Sequence, residues 1–567
     1  MKKFRYSSGF YRERNKQILQ RHNQVLDEVQ SENNFEGEMG FQNTRHDLPL
    51  PNVSSEHLSD ENMSENSSEE TFVDDIDEEY FEDDLRQWSN NYNITQDALR
   101  SLLDILRKLP GMQQLPKDPR TLRATPRKTT MVEICNSENV AVGRCWYRNV
   151  SNAIISCLTE AAGFHQISLQ LFADGLDISN SSSSEVWPIM FRIIEIPELP
   201  PQVIAIHYGE GKPKNVKAFL GPVVTELKDV IANGVCVNGR NVKVQIHSVL
   251  GDSPARSLLK GTVYFNHRCG CGKCTVEGDF FKQPRHMSYA NLNAPLRTDE
   301  SFRGRIDEDH HREDSPMEEL PIDMIKDFPV SDSLHLLHQG VMKRMLTGWY
   351  RGDFNFKTKW STNDASSVSN FLIESNKYRP SDLHRKIRPL CDLRNWKATE
   401  FRSFLLYLGC VILKDFVKTD VYNNFMLLFC AISIFETRHY EKYYEIAGKM
   451  LEEFVKGFMD IYGQDSINSN LHNLIHVMDD VKHLGPLPEI STYPFENRLS
   501  YIKKMVHTGN LPLAQLSRRL IERTYTKRSK GKETYPRAEN EYNVKCKLFM
   551  LSYKNETVFI PLLHTLS

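Results

Sequence analysis

The chain has 567 residues, 40% hydrophobic and 26% charged, which is ample for a sizeable core and rules out wholesale disorder. At roughly 100–200 residues per domain, about three or four units are expected. The net charge of −3 hides an asymmetry: Glu56 to Asp84 holds 14 acidic residues and no Lys or Arg, leaving the rest at about +11, so an acidic partner such as nucleic acid suits the basic remainder.

Eleven cysteines, a basic start (Met1–Arg14) with no signal-type apolar core, and apolar runs too short for a bilayer (Phe404–Leu413, Phe425–Phe435) argue against a secreted disulfide scaffold and a membrane protein. A soluble intracellular protein is expected. In chain order, residues 1–30 read as a basic arm, suited to phosphate contact, nuclear targeting or plain solvation, and 31–90 as a disordered acidic linker. Residues 91–164 form an N-terminal helical and basic region, where Thr95 caps a helix bearing Leu99, Leu102, Leu103 and Leu106. Pro110-Gly111 ends it, and Lys117, Arg120, Arg123, Arg127 and Lys128 follow, either as a DNA contact or as a basic surface loop.

From 165 to 275 the pattern turns β-rich. Ile167, Leu169 and Leu171 alternate with Ser168, Gln170 and Phe172 in a strand running into Asp174-Gly175, and strand-like runs follow at Trp187–Ile196 and Val203–Tyr208. A helix opening at Pro222 stops at Gly234. Val242, Val244 and Ile246 then lead to Gly251-Asp252, with Ser253-Pro254 as cap and first helical residue, so Asp252 is expected at a strand–helix junction. Residues 276–470 carry helical stripes and no strands, 471–525 two further helices, and 526–567 a basic C-terminal segment.

Three features carry chemistry. Asp174, Asp252 and Glu496 stand on different elements: two strands ending in Asp at one sheet edge, with a returning helix delivering the Glu, bring together the oxygen donors that hard divalent cations such as Mg²⁺ or Mn²⁺ require. By spacing alone, among 74 acidic residues, they read rather as turn and cap carboxylates. Cys271-Gly-Lys-Cys274, with Cys269 just upstream, is a knuckle for a metal or a pair of free thiols. His472 and His476 lie four apart on one helical face, as a coincidence or as the second half of a closed structural Cys₂His₂ zinc shell pinning the returning helix.

Leu171-Phe-Ala-Asp-Gly-Leu-Asp with Trp187-Pro188, Gly251-Asp-Ser-Pro-Ala-Arg256 with Gly270-Cys-Gly-Lys-Cys274, Asp332–Arg344, Trp396–Arg402, and His472…His476 with Leu484-Gly-Pro486 and Tyr493-Pro-Phe-Glu-Asn-Arg498 occur in that order. Together they resemble the catalytic core of the Tnp2/CACTA (En/Spm-like) transposases, over roughly residues 165–520. The resemblance implies an α/β fold with an RNase H-like mixed sheet flanked by helices and a large all-helical insertion before the last carboxylate. Residue by residue, it implies Asp174, Asp252 and Glu496 as holders of two Mg²⁺ or Mn²⁺ ions, and Cys271, Cys274, His472 and His476 as holders of structural Zn²⁺; Asp177 ranks second to Asp174.

The activity expected is that of a DDE transposase, which hydrolyses phosphodiesters at transposon ends and transfers the 3′-OH to target DNA. The expected setting is the nucleus, as a homodimer or larger oligomer on DNA, with no membrane partner. No P-loop, Gly-x-Ser-x-Gly elbow or His-Glu-x-x-His motif accompanies the carboxylates. Trp187 and Trp396 are core aromatics or stacking platforms for an unpaired base. Arg518, Arg519, Arg523, Lys527, Arg528, Lys530 and Lys532 form a basic tract suited to phosphate contact, nuclear import or solvation. Two rival readings are a former transposase kept as a DNA-binding or chromatin protein without strand transfer, and a zinc-stabilised interaction module.

Overall fold

The structure is a computed structural model that describes residues 78–159, 163–178, 183–282, 285–379, 383 and 385–523, with the backbone of 547–553 and 556–562. The basic arm 1–30, the linker up to residue 77 and Lys527–Lys532 of the basic tract lie outside the described residues. The last part of the expected linker is helical: α1 (Glu78–Asn91) is followed by α2 (Gln96–Leu106), whose Thr95 cap accepts from the Ala98 N–H at 3.3 Å. Arg123, expected on a basic surface, is buried instead, and its guanidinium donates to Ser89 Oγ, Ser89 O and Ile94 O, tying the two helices together.

The molecule is a mixed α/β structure centred on an eight-stranded sheet. Its strands are β1 (Val132–Cys135), β2 (Ala141–Tyr147), β3 (Gln166–Ala173), β4 (Leu176–Asp177), β5 (Ser184–Ile193), β6 (Gln202–Glu210), β7 (Val235–Val237) and β8 (Arg240–Leu250). The order is β1-β2-β6-β5-β3-β8-β7, with β4 paired to β5. β3 and β8 run parallel and the other neighbours are antiparallel. The sheet thus begins at Val132, within the segment expected to be helical and basic: β1 and β2 alternate only weakly because they lie at the sheet's partly exposed edge.

Pleating sends alternate side chains of β3 to opposite faces. Leu169 and Leu171 pack with α3 (Val150–Leu158) and α4 (Val216–Asn233), whereas Phe172 packs with α8 (Tyr493–Met505) and α9 (Pro512–Glu522). Helix α4 starts at Asn215, its cap, rather than at Pro222, which lies inside it. A proline there leaves the carbonyl four residues earlier without its helical partner. Tyr147 supplies the missing donor, its hydroxyl lying 3.0 Å from Ala218 O, so the tertiary structure tolerates what local preference disfavours. Gly234 ends the helix as expected.

After β8 and α5 (Ser253–Lys260) comes the largely helical stretch, which also contains a hairpin, β9 (Asp279–Lys282) with β10 (Arg285–Ser288). Its core is built around α6 (Thr419–Phe435) and α7 (Tyr444–Tyr462), and Leu471, Leu474, Val477 and Val481 of the histidine-bearing helical run pack into it. Trp187 and Trp396 are both buried, their indole N–H groups donating to Glu185 and Pro389 O, so both are core aromatics. Within the expected basic C-terminal segment the backbone forms a hairpin, β11 (Lys547–Tyr553) with β12 (Glu556–Leu562).

Candidate metal centres

The parallel pairing of β3 and β8 builds the first centre. Phe172 lies opposite Leu250, and Asp174 and Asp252 each follow two residues later, so both carboxylates leave the sheet at the same edge. Asp252 caps α5: its Oδ1 accepts from the Ala255 N–H at 2.7 Å, a role expected of Ser253. Close packing fixes both turns, since a Cβ on Gly175 would fall 2.8 Å from the Trp187 ring and one on Gly251 3.1 Å from Ala173 O. Arg256 of α5 donates to Gly251 O at 2.8 Å and braces the second turn.

Glu496 arrives on the first turn of α8. The preceding residue, Phe495, is fully buried and stacks on Phe172 of β3 with ring centroids 4.7 Å apart and planes 10° from parallel. Anchoring Phe495 on β3 turns its neighbour toward the strand end that carries Asp174. The approach to α8 is held by Gln170 and Arg192, both donating to Glu489 O. Donor atoms of Asp174, Glu496 and a third residue, His335, lie within 4.8 Å of one another. Asp252 is outside that tight set, but its charge acts on both Asp174 and Glu496. Asp177, on β4, is exposed.

Burial, and then the charges of Asp252 and Glu496, push the Asp174 carboxyl up to about 8. Burial also raises Glu496, with Asp332 and Asp252 adding to it and His335 opposing. Carboxylates crowded in this way are a site that a cation relieves, and their hard oxygen donors fit Mg²⁺ or Mn²⁺.

His335 stands on a π-helix, Ser333–Met342, a form rare enough that its occurrence often marks function. Asp332 caps it through the Leu334 and His335 N–H groups, holds His335 Nδ1 at 2.5 Å, and accepts from the Thr492 N–H and hydroxyl just before α8. Burial opposes charge on both partners, yet their mutual hydrogen bond and attraction take Asp332 down to about 2 and His335 up to about 9. With Nδ1 so fixed, Nε2 faces Glu496 Oε1 at 3.7 Å. His335 lies inside the Asp332–Arg344 motif, but sequence reasoning gave it no role; the Asp-x-x-His spacing at a helix start was the available signal.

The second centre joins Cys271, Cys274, His472 and His476, all buried, with donor atoms within 4.8 Å of one another. This set can hold a metal ion such as zinc. The Sγ–Sγ separation is 3.6 Å, Cys271 Sγ to His476 Nε2 is 3.6 Å, and Cys274 Sγ to His472 Nε2 is 3.2 Å. A tetrahedral zinc shell has edges of about 3.3–3.8 Å; two of these separations fall within that range and the third, at 3.2 Å, lies just below it. His472 Nδ1 lies 3.1 Å from Tyr289 O, which turns Nε2 toward the sulfurs. The Cys274 thiol, donating to Cys271, holds Cys271 well below the usual thiol range against the cost of burial, with His476 and His472 assisting. Cys269 is buried nearby but outside the set.

A second clamp joins the same two segments. Lys273, inside the knuckle, reaches Asp480 Oδ1 and Ile325 O, both at 2.6 Å. Asp480 Oδ2 in turn accepts from Val330 N, Ser331 N and Ser331 Oγ, immediately before Asp332. A chain of buried polar contacts therefore runs from the knuckle to the segment that orients His335. Asp480→Ala leaves the buried Lys273 charge without its carboxylate, with Ile325 O still accepting from it, so urea denaturation is expected to give a loss of about 3–5 kcal/mol, and the double variant Asp480→Leu/Lys273→Met a smaller one. Equal losses in the two would show that the pair's charges are not what the fold depends on.

No family model matches this sequence, and no curated protein matches it.

Proposed function

We propose that the chain is a DNA strand-cleaving and strand-transferring enzyme of the DDE transposase kind, with an RNase H-like catalytic sheet. The observation that carries this reading is the convergence on one sheet edge of Asp174, Asp252 and Glu496 from three separate elements, with His335 among them. The strand arrangement supports it: a strand flanked on one side by two antiparallel successors and on the other by a parallel fourth is the topology that the resemblance leads one to expect. The helical stretch between Asp252 and Glu496 agrees with the expected insertion.

Two divalent cations, when bound, supply activation of the attacking oxygen and stabilisation of the departing one. Asp174 and Glu496 offer the closest oxygens, and Asp252 faces them from the end of β8. His335, its Nδ1 anchored on Asp332, offers an Nε2–H at the same point, suited to a phosphoryl oxygen of the scissile group. Neither a protein nucleophile nor a covalent enzyme intermediate is called for.

DNA as substrate is supported by the positive balance outside the acidic block and by where the basic groups sit. Lys503 and Lys504 are exposed on the last turn of α8, the helix that delivers Glu496. Arg127 and Lys128, in the segment expected to touch DNA, are exposed beside α9, where Arg518 donates to Arg127 O and Ser517 to Thr129. The test is a cleavage assay of the full chain on duplex DNA bearing candidate element ends, with Mg²⁺ or Mn²⁺ and with EDTA. Metal-dependent nicks leaving 3′-OH ends are expected. DNA binding with no cleavage under either metal would favour the chromatin-protein alternative.

A further inference from the structure

A cavity of about 410 Å³ opens beside the cysteine–histidine centre, between the loop at Phe265-Asn266, hairpin strand β10, the segment Asp465–Asn470, and the helix that continues from the one carrying His335. It belongs to neither metal set. Its walls combine three aromatic rings, an imidazole, two guanidinium groups, carboxamides and one carboxylate, Asp465.

Phe354 is the unusual member. It is 44% exposed, and its φ of 62° places a bulky aromatic residue in the left-handed region, where such residues seldom sit. Strain of that kind persists where the surroundings impose it, and it gathers at ligand sites. The Arg344 guanidinium lies over the Phe354 ring, 4.0 Å from its centroid, and is itself held by donation to Ser466 O at 3.1 Å. One face of the ring is thereby backed by a fixed cation, Phe356 stands edge-on to it with centroids 6.3 Å apart, and part of the ring stays exposed. Phe265, 37% exposed, lines the same space. Asn470 is seated against Gly340, where a Cβ would fall 2.7 Å from its amide nitrogen, and Asn266 lines the wall with it.

An aromatic ring stacked on arginine, with carboxamides able to pair along a planar edge and a further cation, Arg285, is what an unstacked nucleobase with its phosphate requires. Position agrees as well. Arg344 follows His335 by nine residues along continuous helix, which spans roughly 12 Å, about three or four nucleotides of a stacked strand.

We infer that this cavity receives one unpaired nucleobase of the DNA, stacked on Phe354 and bounded at its edge by Asn266 and Asn470. The inference rests on the DNA reading above and extends it: the enzyme grips a base that has left the duplex, a few nucleotides from where the backbone is cut.

The experiment uses the zinc-loaded full chain and three probes: a duplex with one unpaired adenine, the same duplex with an abasic site in its place, and dAMP. Wild type is expected to bind the adenine duplex about tenfold more tightly than the abasic one. Phe354→Ala is expected to bring that ratio to about one without changing affinity for the abasic duplex, and Phe354→Trp to keep it. Phe354→Asn, which tolerates the left-handed backbone, is expected to lose the preference while raising the melting temperature. A wild type that binds duplex DNA without preferring the adenine, or a preference that survives Phe354→Ala, overturns the cavity's role and leaves the DNA reading standing. Binding to neither duplex sinks the DNA reading; Phe354-dependent binding of dAMP would then still support a nucleobase pocket, and its absence would remove that too.

Discussion

The double variant Cys271→Ser/Cys274→Ser is expected to lose one zinc per chain and at least about 5 kcal/mol of stability. Structural zinc shells contribute an apparent 10–16 kcal/mol in zinc-finger peptides, comparable to the whole 5–15 kcal/mol by which a domain is stable. Here the shell joins Cys274 to His472 across 198 residues, and closing a loop of that length by a covalent link is alone worth about 5 kcal/mol. The Lys273–Asp480 pair bridges the same segments and holds part of the geometry when the shell is gone, so the loss is partial. Hydrogen exchange should report where it falls: protection is lost first in Ser469–Leu484 and the knuckle, while β3 and β8 keep theirs. Metal analysis showing zinc gone with an unchanged melting temperature would remove the structural role of this centre.

The second large effect is on catalysis. On the proposed reading, Asp174→Asn, Asp252→Asn and Glu496→Gln are each expected to lower the metal-dependent cleavage rate at least about a thousandfold, because several kcal/mol of stabilisation would depend on the cations they would hold. DNA affinity should change little in all three. Replacing Asp174 removes a carboxyl that burial, and then the charges of Asp252 and Glu496, push up to about 8, and replacing Glu496 removes one of those charges. These variants should therefore be slightly more stable than wild type in the absence of divalent metal and no longer stabilised by its addition. That opposite movement of stability and rate separates a metal-holding carboxylate from one that merely supports the fold. Cleavage retained in Asp174→Asn would dismiss it from the site. If all three variants and the wild type are equally inactive while binding DNA, the protein is a binding protein built on a former enzyme's frame.

Much of the sheet was legible because its strands report their own environment. β3 alternates Ile167, Leu169 and Leu171 with Ser168, Gln170 and Phe172, and β8 alternates Val242, Val244 and Ile246 with polar residues. Each runs into a turn with an Asp, so both strand ends were legible from local pattern, whereas the grouping of Asp174 with Asp252 and Glu496 rested on the family resemblance. Cys271, Cys274, His472 and His476 were also readable, as two spacings that complete each other. What escaped notice depends on contacts between distant segments. Pro222 looked like a helix start because the tyrosine that satisfies Ala218 lies in another strand. Arg123 reads as a surface cation because its three acceptors lie upstream, two on Ser89 of α1 and one on Ile94 in the connection to α2. His335 had no signature of its own: only the folded chain brings Asp332, Thr492 and Glu496 around it. β1 and β2, at an edge with mixed exposure, offer little periodicity to detect.

Anomalous scattering from zinc-loaded crystals soaked in manganese would probe the carboxylate centre most directly. Two manganese peaks about 4 Å apart, ligated by Asp174, Asp252 and Glu496, are the expected result. A fully soaked crystal with no manganese at that sheet edge, or with manganese held by other residues while these three carboxylates stay unligated, would contradict the nuclease reading.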